Sequence, residues 1–166
     1  MKFSTCFSGV IAVFLLTKIS LTMGQSNLSP MNNIYQSLYY EPNRSIIVDP
    51  DTLDYNGYLS FLNTILQSDQ KYRKILKQLE GSTDTTKIRF VEKSMYRNDK
   101  ENQVVLLSLL KKFGWPCSED KNYSFFAWLV VWHADYTDKA PFYPYLREGH
   151  SRGCIVKGHY EKLGLK

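Results

Sequence analysis

Residues 58–81 read YLSFLNTILQSDQKYRKILKQLEG. Tyr58, Leu62, Ile65, Asp69, Tyr72, Leu76 and Leu79 recur at alternating spacings of four and three, which lines them up on one face of a helix. Six of the seven are apolar or aromatic, and Asp69 is the exception. The helix is expected to stop near Gly81, a residue typical of the position just past a helix end. A chain organised around such a stripe belongs to the helical class.

Working outward, the spacing predicts a second helix over Thr86 to Tyr96. A third follows, capped by Asn98 or Asp99, with VVLLSLLKKF (104–113) as its body. Lys111 and Lys112 fall in its last turn, where cations meet the negative end of the helix dipole, and Gly114 with Pro116 ends it. The segment FFAWLVVWHAD (125–135) is apolar on every side until it reaches His133 and Asp135. It suits a fourth helix, from about Tyr123 to Ala134, packed among neighbours in a bundle. A buried strand is its competitor, but eleven residues exceed the usual strand length. Pro141 and Pro144 break the chain, and a short last helix is placed at Tyr145 to Gly149. The expected fold is all-α, a small bundle of four to five helices occupying 57–166. Residues 25–56, rich in Ser, Asn, Pro and Tyr, read as an extended tether or lead-in, with a short strand expected at Ile46 to Val48.

The first residues, MKFSTCFSGVIAVFLLTKISLTMGQ, combine Lys2, an apolar stretch from Val10 to Leu16, and short residues before a polar stretch. That is the pattern of a signal peptide over 1–24, and the apolar stretch is too short to span a membrane. The alternative, an uncleaved N-terminal anchor, is opposed by Lys18 interrupting the apolar run. The expected location is extracytoplasmic, secreted or periplasmic.

A chain of 166 residues, 43% apolar and 22% charged, lies in the ordinary globular range. Losing Lys2 and Lys18 with the signal lowers the formal charge from +5 to +3. Basic residues are interspersed with acidic ones, so no nucleic-acid stripe is indicated. After cleavage Cys117 and Cys154 are the cysteines that remain. In an oxidising compartment they suggest one disulfide, with a pair of buried free thiols as the other reading. No CxxC or Cys/His cluster reads as a metal site, and no cofactor motif is present.

Polar residues in apolar places are the candidates for function. Asp69 sits on the apolar stripe with Arg73 four residues on, within ion-pair reach. The pair is either a surface contact, worth about 0.5 kcal/mol or less, or part of a buried network. His133 follows Leu129 and Val130 by one turn, so its ring is expected to be partly buried. Such a histidine is ordinarily a neutral core residue bonded to a carbonyl or carboxylate, and less often a base. Asp135 lies about 200° around an ideal helix from His133, so it can orient the imidazole only if the helix ends near Ala134. Otherwise it is a turn residue in DYTD. Ser124 is too far along the same helix to serve His133 as nucleophile, and GxSxG, HExxH and phosphate-loop motifs are missing. Twelve tyrosines and three tryptophans could line a sugar or peptide groove, or simply supply bulk.

With these residues placed, the second half resembles an uncharacterised bacterial domain family, a domain of unknown function known by an ordered set of short motifs. The resemblance runs through DQKYR (Asp69, Gln70, Arg73), DKEN (Asp99, Asn102), GWP (Gly114 to Pro116), AWLVVWHAD (Trp128, His133, Ala134, Asp135), and a leucine and glycine pattern near Leu146 and Gly153. It implies a polar site at Asp69, Arg73, Asp99, Asn102 and Trp128, with His133 and Asp135 as the catalytic candidates, but supplies no reaction. Two departures stand out. Trp132 occupies the position where the family commonly has glutamine, and YEKLGLK (160–166) stands where the family continues into LxDR and YGTQ elements. Part of the family's site is therefore expected to be missing. Two functions are kept: a binding or structural module for an unknown small ligand or protein, and a hydrolase-like enzyme with His133 as general base.

Overall fold

Asp54 and Asp84 open the two longest helices. Each carboxylate accepts a hydrogen bond from a backbone amide of the first turn, Gly57 N at 2.6 Å and Lys87 N at 2.9 Å. Such caps satisfy amides that a helix leaves without internal partners. The structure, a computed structural model, describes residues 46–165. The expected signal peptide and residues 25–45 of the lead-in lie outside them.

Five helices follow one another. They are α1 (Tyr55–Gln78), α2 (Thr85–Phe113), α3 (Asn122–Trp132), α4 (Tyr143–Ser151) and α5 (Lys157–Lys162). Single-turn 3-10 elements at Pro50–Thr52 and a longer one at Tyr136–Phe142 precede α1 and α4. Among the described residues there is no strand. The strand expected at Ile46 to Val48 is not formed: Ile46 is buried, and Val48 and Leu53 pack against the helical core. Among the described residues no helix is long and apolar enough to cross a membrane.

The second and third predicted helices are one. Residues 85–113 contain neither Gly nor Pro, so nothing interrupts the ladder of backbone hydrogen bonds. Asn98 and Asp99, expected to cap a new helix, sit in the middle of α2, and their side chains reach α1. Asn98 Nδ2 donates to the Ser68 carbonyl at 2.8 Å and its Oδ1 accepts from Ser68 Oγ at 3.0 Å. α2 does end at Gly114, with φ of 72° and with Lys111 and Lys112 in the last turn.

Contacts at both ends fix the directions. Tyr58 Oη donates to the Gly114 carbonyl at 3.2 Å, while Ser68 meets Asn98, so α1 and α2 are antiparallel. α3 starts beside Trp115 and ends beside Asp69, running along α1. Between the three helices lie Leu62 and Ile65, Leu106, Leu109 and Leu110, and Ala127, Val130 and Val131, all buried. Each large aliphatic side chain so buried contributes about 1.5–3 kcal/mol.

Trp115 closes the end of this core near Tyr58. It is fully buried, and its indole Nε1 donates to Ser124 Oγ at 2.8 Å. The ring lies against Gly149 of α4, where an added Cβ would fall 2.4 Å from Trp115 Cγ. Cys117 and Cys154 are bridged, with Cα atoms 5.3 Å apart, which decides between the two readings open in the sequence. The bridge ties the α2–α3 loop to the chain after α4 and closes a span of 37 residues, worth roughly 4 kcal/mol in chain entropy.

Gly149→Ala is expected to lower stability by about 2 kcal/mol, because the indole has no room to retreat in a close-packed interior. Gly158→Ala in α5, where nothing lies within 4 Å, should be neutral or stabilising by about 1 kcal/mol or less. Urea unfolding of both variants measures the contrast.

Candidate functional site

The stripe on α1 brings Asp69 into the interior at the end of the core away from Trp115, and its relative exposure is 0%. A buried carboxylate without partners would be very costly, and three groups answer it. His133 Nδ1 stands 2.9 Å from Oδ1, and Gln70 Nε2 donates to Oδ2 at 2.7 Å. Arg73 Nη1 lies 3.5 Å from Oδ1 and donates to the Asp69 carbonyl at 2.6 Å.

Arg73 carries the network across to α2. Its guanidinium forks onto Asp99, Nη1 to Oδ1 at 2.9 Å and Nη2 to Oδ2 at 2.8 Å. Such two-pronged pairing fixes geometry as well as charge. His133, Asp69, Arg73 and Asp99 therefore form one continuous chain of contacts over three helices. Of the two sequence readings of Asp69 and Arg73, the buried network is the one formed. The layer reaches the surface through the half-buried Arg73 and through the His133 side chain, which is 18% exposed.

Burial pushes the Asp99 carboxyl above its ordinary value, an effect that outweighs the opposing hydrogen bond and charge of Arg73. His133 occupies the C-cap of α3, so α3 ends where the ring can turn toward α1. Facing a carboxylate, Nδ1 is the donor, and among the described residues Nε2 has no hydrogen-bond partner. An imidazole oriented in this way is half of a general-base unit. Among the described residues no hydroxyl or thiol is hydrogen-bonded to it, and the Ser124 hydroxyl is taken by Trp115.

Asn102 adjoins this layer on α2. It lies one turn beyond Asn98 and Asp99 on the face of α2 that meets α1. It is fully buried, and among the described residues neither its Nδ2 nor its Oδ1 has a hydrogen-bond partner.

Two sequence candidates fall elsewhere. Asp135 does not orient His133. The extended backbone after Ala134 carries it away, and its carboxylate pairs with Lys100 of α2 at 2.8 Å. Lys100 also engages Asp138, pinning the 3-10 segment to α2. The Lys100 hydrogen bond lowers the Asp135 pKa and is the main cause of the raised Lys100 value. Trp128 is not in the polar layer either. Lying five residues before His133, it points about 140° away around the helix. It is buried, donates Nε1 to the His159 carbonyl at 2.8 Å, and stacks on Trp132 and His159.

The sequence reading missed Ser68 and Asn98 as members of the layer. Their signal was available: Val91, Asn98, Asn102, Leu106 and Leu109 share one stripe once α2 is read as a single helix. Among the described residues no group of three or more His, Cys, Asp or Glu side chains is arranged to hold a metal ion. Comparisons of the chain with family models, curated proteins and solved structures found no match.

Asp69→Asn is expected to cost about 3 kcal/mol, since it removes the buried charge and one of the two oxygens that His133, Gln70 and Arg73 answer. Denaturant unfolding checks this. Asp99 should titrate in carboxyl NMR above the ordinary aspartate value of 3.8, and Arg73→Met should move it further up. The sign for stability follows. A folded-state value above the unfolded one means that protonated Asp99 favours folding at acid pH. That contribution is lost as pH rises through the elevated value.

Proposed function

We propose that this chain is an extracytoplasmic binding module that takes a small polar ligand at the layer of Asp69, Arg73, Asp99, Asn102 and His133. The observation that carries the reading is Asn102. A layer serving only to hold helices together would pair every buried polar group, yet a whole carboxamide here is buried without a partner among the described residues. A carboxamide offers donors and an acceptor together, and a ligand that does the same is its natural complement.

The charge of the layer narrows the ligand. Asp69 and Asp99 face Arg73, two carboxylates against one guanidinium, which favours a neutral or cationic ligand over an anion. The motifs whose order resembles an uncharacterised bacterial domain family include Asp69, Arg73, Asp99, Asn102 and His133. The signal-like first 24 residues and the Cys117–Cys154 bridge support an oxidising, extracytoplasmic location.

Asn102→Leu tests the reading with acetamide and methylammonium as probes in thermal unfolding. The variant alone should be at least as stable as the parent, because it removes an unpaired buried amide. In the parent, a probe at ten times its Kd should stabilise by about 1.4 kcal/mol, and the variant should lose that response. No response in either protein, or an equal response in both, rejects the binding reading.

A second reading rests on the 2.9 Å contact between Asp69 and His133, which equips the imidazole as a general base for hydrolysis. It requires turnover of a simple ester such as p-nitrophenyl acetate that falls as far in Asp69→Asn as in His133→Ala. Activity surviving either substitution eliminates it.

A further inference from the structure

Asn122, Tyr123 and Ser124 open α3 and spell N-x-S, the acceptor pattern for N-linked glycans in chains that enter a secretory compartment. The same pattern occurs at Asn27 and Asn43, outside the described residues. Burial of Asn122 would disqualify it, since a close-packed interior cannot house an oligosaccharide. Instead Asn122 is exposed, and so is Lys121 before it. The backbone N–H of Asn122 donates to Asp120 Oδ1 at 2.9 Å, while its side-chain amide is engaged by no described residue.

Ser124 shows when a glycan can be attached. The acceptor pattern needs the hydroxyl as well as the amide, so both side chains must reach one enzyme site. On α3 they stand about 160° apart. Ser124 is moreover 5% exposed, and its Oγ accepts from Trp115 Nε1 at 2.8 Å. The folded chain therefore withholds the hydroxyl but leaves the asparagine outside. Transfer belongs to the extended chain before α3 forms, and the finished fold then accommodates the product.

We infer that Asn122 carries an N-linked oligosaccharide, added before α3 folds. A glycan here presupposes the secreted form of the extracytoplasmic location proposed above, and is independent of the ligand taken by the polar layer. The donor is an oligosaccharide carried on a lipid pyrophosphate. Asn122 Nδ2 bonds to the anomeric carbon as the bond from that carbon to the pyrophosphate oxygen breaks. The lipid pyrophosphate leaves with the electron pair, and the Nδ2 proton passes to a base of the transferase. Asn122 and His133 are about 16 Å apart along α3, so the glycan sits at the Trp115 end and leaves the polar layer uncovered.

The full chain secreted from cultured animal cells provides the test. Enzymatic release of N-glycans in heavy-oxygen water turns each glycosylated asparagine into a labelled aspartate, whose position is read by peptide mass spectrometry. The label is expected at position 122 in most secreted chains, whatever Asn27 and Asn43 carry. It should be lost in Asn122→Gln, an exposed position where folding is not at risk, and kept in Ser124→Thr, which retains the hydroxyl. Chain folded with Cys117–Cys154 closed before it meets the transferase should stay unmodified at 122, whereas reduced, unfolded chain should be modified. A secreted, disulfide-closed chain without the label at 122 overturns the glycan alone, and equal labelling of the prefolded chain overturns its timing. A chain retained in the cytosol with reduced cysteines overturns the extracytoplasmic location, and the glycan with it.

Discussion

The structure depends on one carboxylate in the wrong solvent. Asp69 is placed by its own helix on the face that must be buried, and no rotation of α1 can expose it without exposing Tyr58, Leu62, Ile65 and Tyr72 as well. The apolar stripe therefore forces the charge inward, and the charge then dictates what the neighbouring helices must bring. α3 must end beside it to offer His133, and α1 itself must supply Gln70 and Arg73. Once Arg73 is drawn inward, α2 must answer with Asp99. Four residues on three helices follow from a single substitution in a hydrophobic pattern.

The two ends of the bundle are held by different physics. Near Trp115 the fixing is steric and covalent: an indole against a bare Gly149 backbone, a tyrosine hydroxyl on the Gly114 carbonyl, and a disulfide across adjoining loops. Shape complementarity of this kind tolerates little change in volume. Near Asp69 the fixing is electrostatic. Ion pairs in an interior add little net stability, because desolvation offsets much of the attraction, but they punish any arrangement that separates the partners. The apolar middle supplies the driving force, and the two ends select one register of α1 against α2.

Where sequence reasoning succeeded, the signal was local. The stripe of α1, the lysine-rich last turn of α2 before Gly114, and the all-round apolarity of α3 each rest on residues close in the chain, and the helices stand nearly where the patterns put them. It failed where a side chain had two uses. Asn98 and Asp99 are good capping residues, so RNDKEN (97–102) read as a helix start. Their use across the α1–α2 interface is visible only when the two helices are aligned. Asp135 failed in the same way. Closeness in sequence made it the natural orienter of His133, whereas the true one, Asp69, lies 64 positions earlier. Trp128 was drawn in by motif membership, although its angular position on α3 already excluded it. Asp69, Arg73, Asp99, Asn102 and His133 were all picked out in the sequence, each as a polar residue in an apolar setting or in one of the quoted motifs; the bundle joins Asp69, Arg73, Asp99 and His133 and leaves Asn102 one turn along α2.

Asn102 shows why such a layer is more than a clasp. Its carboxamide is fully buried, and among the described residues neither its Nδ2 nor its Oδ1 has a hydrogen-bond partner. α2 thus carries unmet hydrogen-bonding capacity next to the turn where Arg73 and Asp99 lock it to α1 and Lys100 locks it to the 3-10 segment. A helix gripped from two sides at one turn cannot relax to hide that amide. The strength of the clasp is what keeps that capacity available, and a rigid, unsatisfied donor and acceptor pair is the arrangement in which a small number of contacts can confer specificity.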